Sequence, residues 1–391
     1  MESALRITMI APFGIRPKGT LLARMLPLAN ALATRGHTVT IVAPPVHNPQ
    51  DAGTRIQHGA TTVIHTAQAA LPGALGVLQQ AYLLWHTTMA SQPQLIHLFK
   101  PKGHAGLAAH WVTLRAPQIP LVVDCDDREG AGGWTDILPY PSGAKALFAW
   151  QERTLPRRAT SVTVASRTLE GLVWAEGVSP ARVFYMPNAA DMAASATPPA
   201  LRNEPHIVLY TRFWEFTLSD LVSTLTHIVA QRPDVRISVI GAGEHGEEQD
   251  LAQQCAAANI AAHVDIRGWM QPAEIPAILA RAGLALVPVD DTLINRARCS
   301  AKLLELLAAG LPVVGNDVGE MRTFVTHGVN GILTPPHHPD ALAQAALAVM
   351  ADTQRWHTMQ QAAYHSAQHH TWQHRLDSVL AAYTVALEKE P

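Results

Sequence analysis

Short apolar runs alternate along this chain with longer stretches in which apolar residues recur every three or four positions. The short runs are rich in Val, Ile and Leu and predict buried strands, whereas the longer periodic stretches predict amphipathic helices. The chain opens with such a strand, a glycine-containing loop, a helix closed by Gly36 and a second strand. This β-α-β pattern predicts a parallel sheet whose ligands bind at the carboxyl ends of the strands.

Two successive series of these units are predicted, with a linker rich in Ala, Pro and Ser between them. We predict an α/β fold with two Rossmann-like domains that face each other across a cleft. The expected boundaries are 1–192 for an N-terminal Rossmann-like domain, 193–205 for the linker, 206–370 for a C-terminal Rossmann-like domain and 371–391 for a helix that returns to the N-terminal domain. The pattern from 340 to 388 is continuously helical.

Composition narrows the class of protein. A chain of 391 residues favours two domains, and a formal net charge of −2 argues against a nucleic-acid-binding surface. The three cysteines are far apart without metal or disulfide spacing, which is typical of the reducing cytoplasm. We see no signal peptide and no apolar run of the roughly 20 residues that span a membrane. The segment 74–89 is apolar on one side, which favours a core-facing helix and leaves contact with an acceptor or with the inner face of a membrane as alternatives.

The most distinctive chemistry lies in the segment 298–315. It predicts a short apolar helix, a Gly-Leu-Pro stop and a β-branched strand. Lys302 and Glu305 are three residues apart and lie on one face of this helix. A lysine near a helix N-terminus suits phosphate oxygens, and a carboxylate one turn later can accept hydrogen bonds from ribose hydroxyls. The alternative is an ordinary ion pair on an amphipathic helix.

A second glycine pattern occupies 241–246 and follows a predicted strand, with Asp265 farther along the chain. This arrangement partly matches the fingerprint of nicotinamide dinucleotide sites. However, it follows the second strand of its domain instead of the first, and glutamates crowd the start of the next helix. We therefore disfavour a dinucleotide site here.

Metal sites are also disfavoured. Asp124 and Asp126 form an Asp-x-Asp triplet at a strand end, but hard cations need more oxygen ligands than this triplet offers. Histidine pairs with i,i+4 spacing occur in the segment 365–374 without a further ligand, so a solvated helix face is favoured there. We expect one carboxylate of the segment 124–127 to project from the strand end into the cleft, and no metal.

Several motifs occur in a fixed order, and together they carry a resemblance. The chain resembles the retaining, nucleotide-sugar-dependent glycosyltransferases of family four, which have the GT-B fold. The resemblance covers nearly the whole chain. The matching segments are the loop 14–19, Arg35-Gly36-His37-Thr38-Val39, Pro187-Asn188-Ala189-Ala190-Asp191, Thr211-Arg212-Phe213, Gly241-x-Gly243-Glu244, Gly268-Trp269, Lys302-Leu303-Leu304-Glu305, 308–314 and 328–333.

The resemblance implies transfer of a hexose from a nucleotide-diphosphate donor of the UDP or GDP type to an acceptor hydroxyl, with retention of configuration. The resemblance makes 1–192 the acceptor-binding domain and 206–370 the nucleotide-sugar-binding domain. The nucleotide sugar is then a co-substrate, and no cofactor or metal is expected. The implied residues fall into three groups: Arg212, Lys302 and Asp127 are catalytic; Glu305, Gly241, Gly243, Asp291, Arg298 and Ser300 bind the donor; Gly14, Lys18 and Gly19 bind the acceptor. In the family, a donor phosphate oxygen is proposed to take the acceptor proton.

Two positions depart from the family pattern. Its first acid, which contacts the donor sugar, is replaced by Ala297, and loop side chains such as Asp290, Asp291 or Asn295 are candidate substitutes. The usual lysine shortly after Arg212 is missing as well. These departures keep two alternatives open. One is a nucleotide-sugar epimerase or nicotinamide-dependent enzyme on a related scaffold, and the other is a degenerate, non-catalytic nucleotide-sugar-binding protein.

The acceptor is the least defined partner. A glycan, a lipid-linked molecule and a small molecule are all compatible with the sequence, and the number of subunits stays open. Cations on N-terminal loops leave an anionic acceptor open too, although exposed lysines are usually only solvated. These cations are Arg16, Lys18, Lys100 and Lys102.

Overall fold

The structure is a computed structural model that describes residues 4–16, 19–190, 192 and 198–388. The chain divides into two compact units. Unit 1 contains Met1–Asn188, Ala297–Cys299 and Trp372–Pro391, and unit 2 contains Ala189–Arg296 and Ser300–Thr371. Of the predicted linker 193–205, the part 193–197 lies outside the described residues, and 198–205 forms no helix or strand.

Unit 1 is built on an eight-stranded sheet in the order β3-β4-β2-β1-β5-β6-β7-β8, parallel except for β3 against β4. The strands are β1 Arg6–Ile10, β2 Thr38–Ala43, β3 Arg55–His58, β4 Thr61–His65, β5 Leu95–Phe99, β6 Leu121–Cys125, β7 Ser161–Val164 and β8 Val183–Tyr185. The helices are a π-helical turn Leu21–Met25, α1 Leu26–Thr34, α2 Gly73–Ala90, α3 Gly103–Arg115, α4 Trp134–Ile137, α5 Ser142–Arg158, α6 Arg167–Ala175 and the C-terminal helix Trp372–Glu388.

Unit 2 is built on a six-stranded parallel sheet in the order β11-β10-β9-β12-β13-β14. The strands are β9 His206–Tyr210, β10 Arg236–Ile240, β11 Val264–Gly268, β12 Leu284–Val287, β13 Val313–Asn316 and β14 Gly331–Thr334. The helices are α7 Leu218–Gln231, α8 Glu247–Ala257, α9 Ile275–Leu279, α10 Leu293–Ala297, α11 Ala301–Ala308, α12 Met321–Phe324, α13 Pro339–Ala351 and α14 Thr353–Gln368. The strand order reverses at β9, where doubly wound folds bind their ligands.

Burial explains why these short apolar runs form central strands. All five residues of β5 and of β6 are buried, as expected for parallel strands covered by helices on both faces. The C-terminal helix packs against β7 and β8 of unit 1 and buries Leu376 and Tyr383. In unit 2, Trp356 of α14 is fully buried in the core and donates from its indole N–H to the Gly283 carbonyl at 2.7 Å.

The predicted α/β class with two parallel-sheet domains is confirmed. The tail differs from the expected continuous helix, because it forms three helices. Asp352 ends α13 and caps α14 by accepting a hydrogen bond from the Arg355 N–H at 3.0 Å. The polar strand β3 and its neighbour β4 were missed, since Arg55–His58 has no apolar run. In the described part of the chain, no helix is long and apolar enough to cross a membrane.

Candidate active site

Unit 2 carries its polar loops at the carboxyl ends of its parallel strands. β9 leads into 211–217, β10 into 241–246 and β12 into 288–292. These three loops are neighbours because β9 pairs with both β10 and β12. We call them, together with the first turn of α11, the unit 2 edge. Arg212, Gly241, Gly243 and Asp291 lie on these loops.

Glu215, a buried residue that the sequence did not single out, organises this edge. Its carboxylate accepts hydrogen bonds from the Thr211 hydroxyl at 2.9 Å and from the Arg212 N–H at 3.0 Å. Its backbone carbonyl accepts from the Asp290 N–H at 2.9 Å and from the Asn295 side-chain amide at 2.8 Å. Glu215 thereby ties the loops after β9 and β12 together. Its aromatic sequence neighbours form no motif that could have marked it.

Lys302 reaches the same place from α11. Its Nζ lies 3.7 Å from Glu215 Oε1 and 5.0 Å from the centre of the Tyr210 ring. The Ser300 hydroxyl caps α11 by accepting a hydrogen bond from the Leu303 N–H at 3.4 Å, which stabilises the turn that carries Lys302. The Lys302 side chain is 23% exposed. The protein therefore positions this ammonium group, and its Nζ atom is buried although the side chain as a whole is partly exposed.

Glu305 lies one turn farther along α11 and is half-buried. Burial raises the pKa of the Tyr210 hydroxyl, and the nearby charge of Glu305 raises it further. Lys302, three residues earlier on α11, lies beside the same tyrosine, with its Nζ 5.0 Å from the ring centre. The ammonium group of Lys302 and the charge of Glu305 thus both act on Tyr210, at the point where the strand order of unit 2 reverses.

Arg212 projects from a tight turn after β9. The next residue, Phe213, is buried and has a left-handed φ of 70°, and its N–H donates to the Thr211 hydroxyl at 2.8 Å. The Arg212 guanidinium pairs with Glu244 in the loop after β10. Its side chain is 46% exposed. Such an exposed ion pair stabilises a protein by about 0–1 kcal/mol, so a phosphate can compete with Glu244 for Arg212.

Gly241 is required by a close backbone approach. Its φ is 122°, and a Cβ atom there would lie 1.8 Å from the Thr211 carbonyl oxygen. Gly243 donates its N–H to Glu248 at 3.0 Å, and His245 donates its N–H to Glu247 at 2.8 Å. Carboxylates of α8 therefore bind the backbone donors that a dinucleotide site would offer to pyrophosphate. This observation weakens the nicotinamide alternative.

The segment after β12 contains the carboxylates considered as substitutes for the missing acid. Asp290 accepts a hydrogen bond from the Thr217 hydroxyl at 2.6 Å, and Asp291 pairs with Arg296. Ala297 is fully buried. A glutamate at this position would have to displace packed neighbours, so the structure has no ready space for the family's acid. Arg298 belongs to unit 1 by its contacts, unlike the other predicted donor residues.

Unit 1 gathers charged groups at the carboxyl ends of β5 and β6. Lys100 follows β5, and Asp126, Asp127 and Glu129 follow β6; we call these three acids the carboxylate cluster. Lys100 Nζ lies 3.2 Å from Asp126 and 3.3 Å from Glu129, and it also contacts Asp127. Asp127, the predicted catalytic carboxylate, is the most exposed of the three, with 23% of its side chain exposed.

Burial controls the ionisation of this group. It raises the pKa of Asp126 to about 7, although the Lys100 charge acts in the opposite direction. Burial alone would lower the pKa of Lys100, but Asp126, Asp127 and Glu129 hold it well above its usual value. Lys100 and Lys102 are thus bound by internal carboxylates, since Lys102 Nζ lies 2.7 Å from Glu129. Both lysines are poorly suited to the anionic acceptor that the sequence left open.

The Asp-x-Asp triplet is divided between two environments. Asp124 is fully buried and accepts two hydrogen bonds from Arg24, at 2.7 and 2.8 Å, and a third from the Thr163 hydroxyl at 2.6 Å. Arg24 lies in the π-helical turn and also donates to Asn188 and to the Met186 carbonyl, each at 2.8 Å. Asp124 is therefore an internal counter-ion and unsuited to a shared metal site with Asp126.

The predicted acceptor loop follows β1. A Cβ at Gly14 would lie 1.9 Å from the side-chain oxygen of the buried Asn48, so a larger residue here would displace Asn48. Asn48 donates to Asp51 at 2.8 Å, and Asp51 also pairs with Arg16. The Gly19 carbonyl accepts from the Ala23 N–H at 2.9 Å where the π-helical turn begins. Lys18 lies outside the described residues.

Two family models match the chain in the order of its two units. Residues 19–189 match a glycosyl transferase 4-like domain, and residues 204–352 match the glycosyl transferases group 1. A phosphatidyl-myo-inositol mannosyltransferase from Mycolicibacterium smegmatis is 23% identical over 357 residues, which cover 90% of this chain and 86% of that protein.

Solved structures show the same fold at low sequence identity. A sucrose-phosphate synthase from Thermosynechococcus elongatus superposes with a TM-score of 0.72 at 20% identity, covering 97% of this chain and 98% of that one. HepE from Anabaena, solved in complex with UDP and glucose, gives a TM-score of 0.71 at 18% identity, covering 96% and 99%. With both family matches and this fold, the chain belongs to the group 1 glycosyltransferases, enzymes that transfer a sugar to an acceptor.

Proposed function

We propose that unit 2 binds a nucleoside-diphosphate sugar at the unit 2 edge and that the enzyme transfers the hexose to an acceptor hydroxyl with retention of configuration. One observation carries this proposal. Lys302 is held by the buried Glu215 beside the Tyr210 ring, at the strand reversal where doubly wound folds bind nucleotides. The family to which the chain belongs, and the structural neighbour HepE with its bound UDP, support the same donor class.

The catalytic contribution of Lys302 and Arg212 follows from the charge of the leaving group. When the sugar–phosphate bond breaks, negative charge grows on the diphosphate, and a positioned cation stabilises that charge more strongly than the ground state. Lys302 is already placed by Glu215, and Arg212 can exchange Glu244 for a phosphate oxygen. We therefore propose that two side-chain cations neutralise the diphosphate and that transfer needs no divalent metal.

Glu305 and the loop after β12 complete the donor site in this proposal. Glu305 accepts hydrogen bonds from ribose hydroxyls, and Gly241 leaves its backbone close to the nucleotide. Asp290 and Asp291 are the carboxylates nearest in sequence to the buried Ala297, and they take over the sugar contact. Ser300 acts indirectly, because it caps the helix that carries Lys302 and Glu305.

Asp127 of unit 1 is the proposed partner of the acceptor hydroxyl. It is the exposed member of a cluster in which carboxylates outnumber lysines, so a hydroxyl donor suits it better than an anionic group. The curated relative acts, by its name, on phosphatidyl-myo-inositol, which supports a hydroxyl-rich acceptor here. In this proposal a donor phosphate oxygen takes the acceptor proton, and Asp127 orients the acceptor hydroxyl.

For location, we expect a cytoplasmic enzyme that touches a membrane surface through α2. Three outward residues of α2, Leu75, Leu78 and Tyr82, are 62%, 46% and 49% exposed. No charged residue occurs from Ile56 to Phe99. Flotation with neutral phospholipid vesicles should carry the protein upward, and Leu75→Glu with Leu78→Glu should abolish flotation. Absence of flotation for the unaltered chain would remove the membrane from the proposal.

The donor assignment is tested by a panel of UDP-, GDP-, ADP- and TDP-sugars in a thermal-shift assay. A ligand that binds only the folded state raises the melting temperature by mass action, so we expect one nucleotide series to stabilise the protein. The stabilising sugar is then supplied with inositol, glycerol and glucoside acceptors, and the product is examined for its anomeric configuration. Binding of no nucleotide in the panel, or an inverted product, would contradict the proposal.

A further inference from the structure

The side chain of Lys100 is enclosed by the carboxylate cluster of unit 1. Its Nζ contacts Asp126, Asp127 and Glu129 together, and 8% of its side chain is exposed. A lysine is rarely buried unless it is paired, and here one ammonium group is shared by three acids. Lys100 is absent from the predicted site residues, and nothing in its sequence context indicates this arrangement.

The backbone at Lys100 is specialised for this position. Its φ is 54°, in the left-handed region that residues other than glycine rarely adopt. The conformation is held by hydrogen bonds on both sides of the turn. The Lys100 N–H donates to the Asp124 carbonyl at 3.1 Å, and the Lys102 N–H donates to the Lys100 carbonyl at 2.7 Å. This turn directs the ammonium group from the end of β5 toward the loop after β6.

A second lysine stabilises only the inner end of the cluster. Lys102 Nζ lies 2.7 Å from Glu129 and 3.2 Å from the Tyr140 hydroxyl. It also lies 4.8 and 4.9 Å from the ring centres of Tyr140 and Phe148. Lys102 therefore holds Glu129 beside the rings of Tyr140 and Phe148. Asp127, at the exposed end, is contacted by Lys100. The two lysines thus have separate tasks.

The three acids have the spacing of a cation site. One oxygen from each of Asp126, Asp127 and Glu129 lies within 4.8 Å of the others, as carboxylates do around a divalent ion. The ammonium group of Lys100 occupies this position. We infer that Lys100 is the built-in cation of the carboxylate cluster and that it holds Asp127 in the orientation that receives the acceptor hydroxyl, in place of a divalent metal ion.

The second half of this inference rests on the proposed function of Asp127, whereas the first half does not. Removing the lysine side chain would leave three acids facing a space of the size of the lost ammonium group. Their mutual repulsion then favours any small cation that oxygen ligands accept, and Mn²⁺ is a suitable probe. Lys100→Ala should therefore convert an internal ion cluster into a metal-binding site, and Lys100→Arg should not.

A binding experiment tests the cation assignment without any activity. All proteins carry His337→Ala, because Asp220, Asp290 and His337 of unit 2 form another group with metal-ligand spacing. Mn²⁺ binding is followed by the electron paramagnetic resonance of the free ion, and stability by the melting temperature. We expect no binding with Lys100 or Lys100→Arg. With Lys100→Ala we expect a lower melting temperature that Mn²⁺ raises in a concentration-dependent way, and Asp127→Asn should weaken that response.

Two results would overturn the cation assignment. One is Mn²⁺ binding by the protein with Lys100 intact that is lost on Asp127→Asn, since the cation position would then belong to a metal. The other is a folded Lys100→Ala protein that ignores Mn²⁺. If Lys100→Ala folds only when Mn²⁺ is present during purification, that dependence supports the assignment. If Lys100→Ala fails to fold with or without Mn²⁺ while Lys100→Arg folds, the result counts against replacement of the ammonium group by a metal ion.

The role in transfer is measured with His337 intact. Lys100→Ala should lower kcat by roughly a hundredfold, the loss expected when a reacting group is misplaced by about 1 Å, while the donor KM stays unchanged. Lys100→Arg should keep most of the turnover, and Mn²⁺ should restore part of it to Lys100→Ala. Metal binding by Lys100→Ala without any effect on transfer would contradict the positioning role of Lys100 and leave the donor proposal intact.

Discussion

The two units place charged side chains at the same structural position, the carboxyl ends of parallel strands, yet they use them differently. In unit 2, the side chains of Lys302 and Arg212 are partly exposed, and each cation lies beside a carboxylate, Glu215 for Lys302 and Glu244 for Arg212. In unit 1, Arg24 and Lys100 are almost fully buried among acids. The partly exposed side chains suit a ligand phosphate, whereas the almost fully buried ones stabilise and orient the protein's own groups. Burial, more than residue type, separates the two roles.

The largest effect is expected from breaking the buried pair of unit 1. Arg24→Met leaves Asp124 buried without its guanidinium, and loss of one partner of a buried ion pair costs about 3–5 kcal/mol. Arg212→Met is the matched control in unit 2, and it should change the free energy of unfolding by less than about 1 kcal/mol. Urea unfolding measures both. Equal losses would show that the burial contrast does not decide the roles of these arginines.

For Lys302 we expect a large loss of turnover and little loss of stability. Lys302→Ala removes a cation that acts on the leaving group, and loss of one preorganised donor of this kind lowers kcat by roughly 10²–10³-fold. The melting temperature of this variant should stay close to that of the unaltered chain, because Nζ lies 3.7 Å from Glu215 and that carboxylate keeps its hydrogen bonds from Thr211 and Arg212. Steady-state kinetics with calorimetry separates the two effects. If the protein only melts earlier and kinetics are unchanged, the ordinary ion-pair interpretation of α11 is correct.

A pH experiment sharpens the account of the unit 1 core. Burial lowers the pKa of His97 to about 4, while the nearby Asp124 opposes this and Arg24 adds to it. Between pH 6.5 and 4 the unfolded chain binds a proton that the folded protein excludes, so stability is present above pH 6.5 and is lost as the pH falls. The loss reaches about 3 kcal/mol from this residue.

The control for this pH dependence is His97→Gln. Glutamine can keep hydrogen bonds to the hydroxyls of Tyr383 and Thr163, which lie 2.9 and 3.3 Å from the His97 ring nitrogens. The difference in unfolding free energy between the two proteins, measured from pH 7 to pH 4, should shrink as the pH falls. A difference that is independent of pH would show that His97 does not titrate in the way its burial requires.

The smallest effect is expected for Glu305. A hydrogen bond to a charged group contributes about 1.5–3 kcal/mol, so Glu305→Gln should weaken donor affinity by roughly ten- to a hundredfold with little change in kcat. Lys302→Ala should change kcat more than affinity, so the two neighbours on one helix differ in kinetics. Isothermal titration with the stabilising nucleotide sugar provides the affinity. An unchanged affinity would place the ribose elsewhere.

Much of the fold was predictable because its strands are short apolar runs and its helices have clear stop signals. The polar strand β3 and the break at Asp352 were not, since pairing and capping decide them locally. In the site, motifs located the loops of unit 2. They did not reveal Glu215 or Lys100, because a single charged residue shows its role only when folding brings its partners from distant strands.

The central claim is that side-chain cations of unit 2 bind the donor diphosphate. The most direct measurement is calorimetric titration of the nucleoside diphosphate from the stabilising series into the protein in the presence of EDTA. The account predicts binding in EDTA by the unaltered chain and a loss of affinity of at least about a hundredfold in the Arg212→Ala, Lys302→Ala double variant, since each charge-assisted contact contributes about 1.5–3 kcal/mol. Binding that requires Mn²⁺, or equal affinity in the double variant, would contradict it.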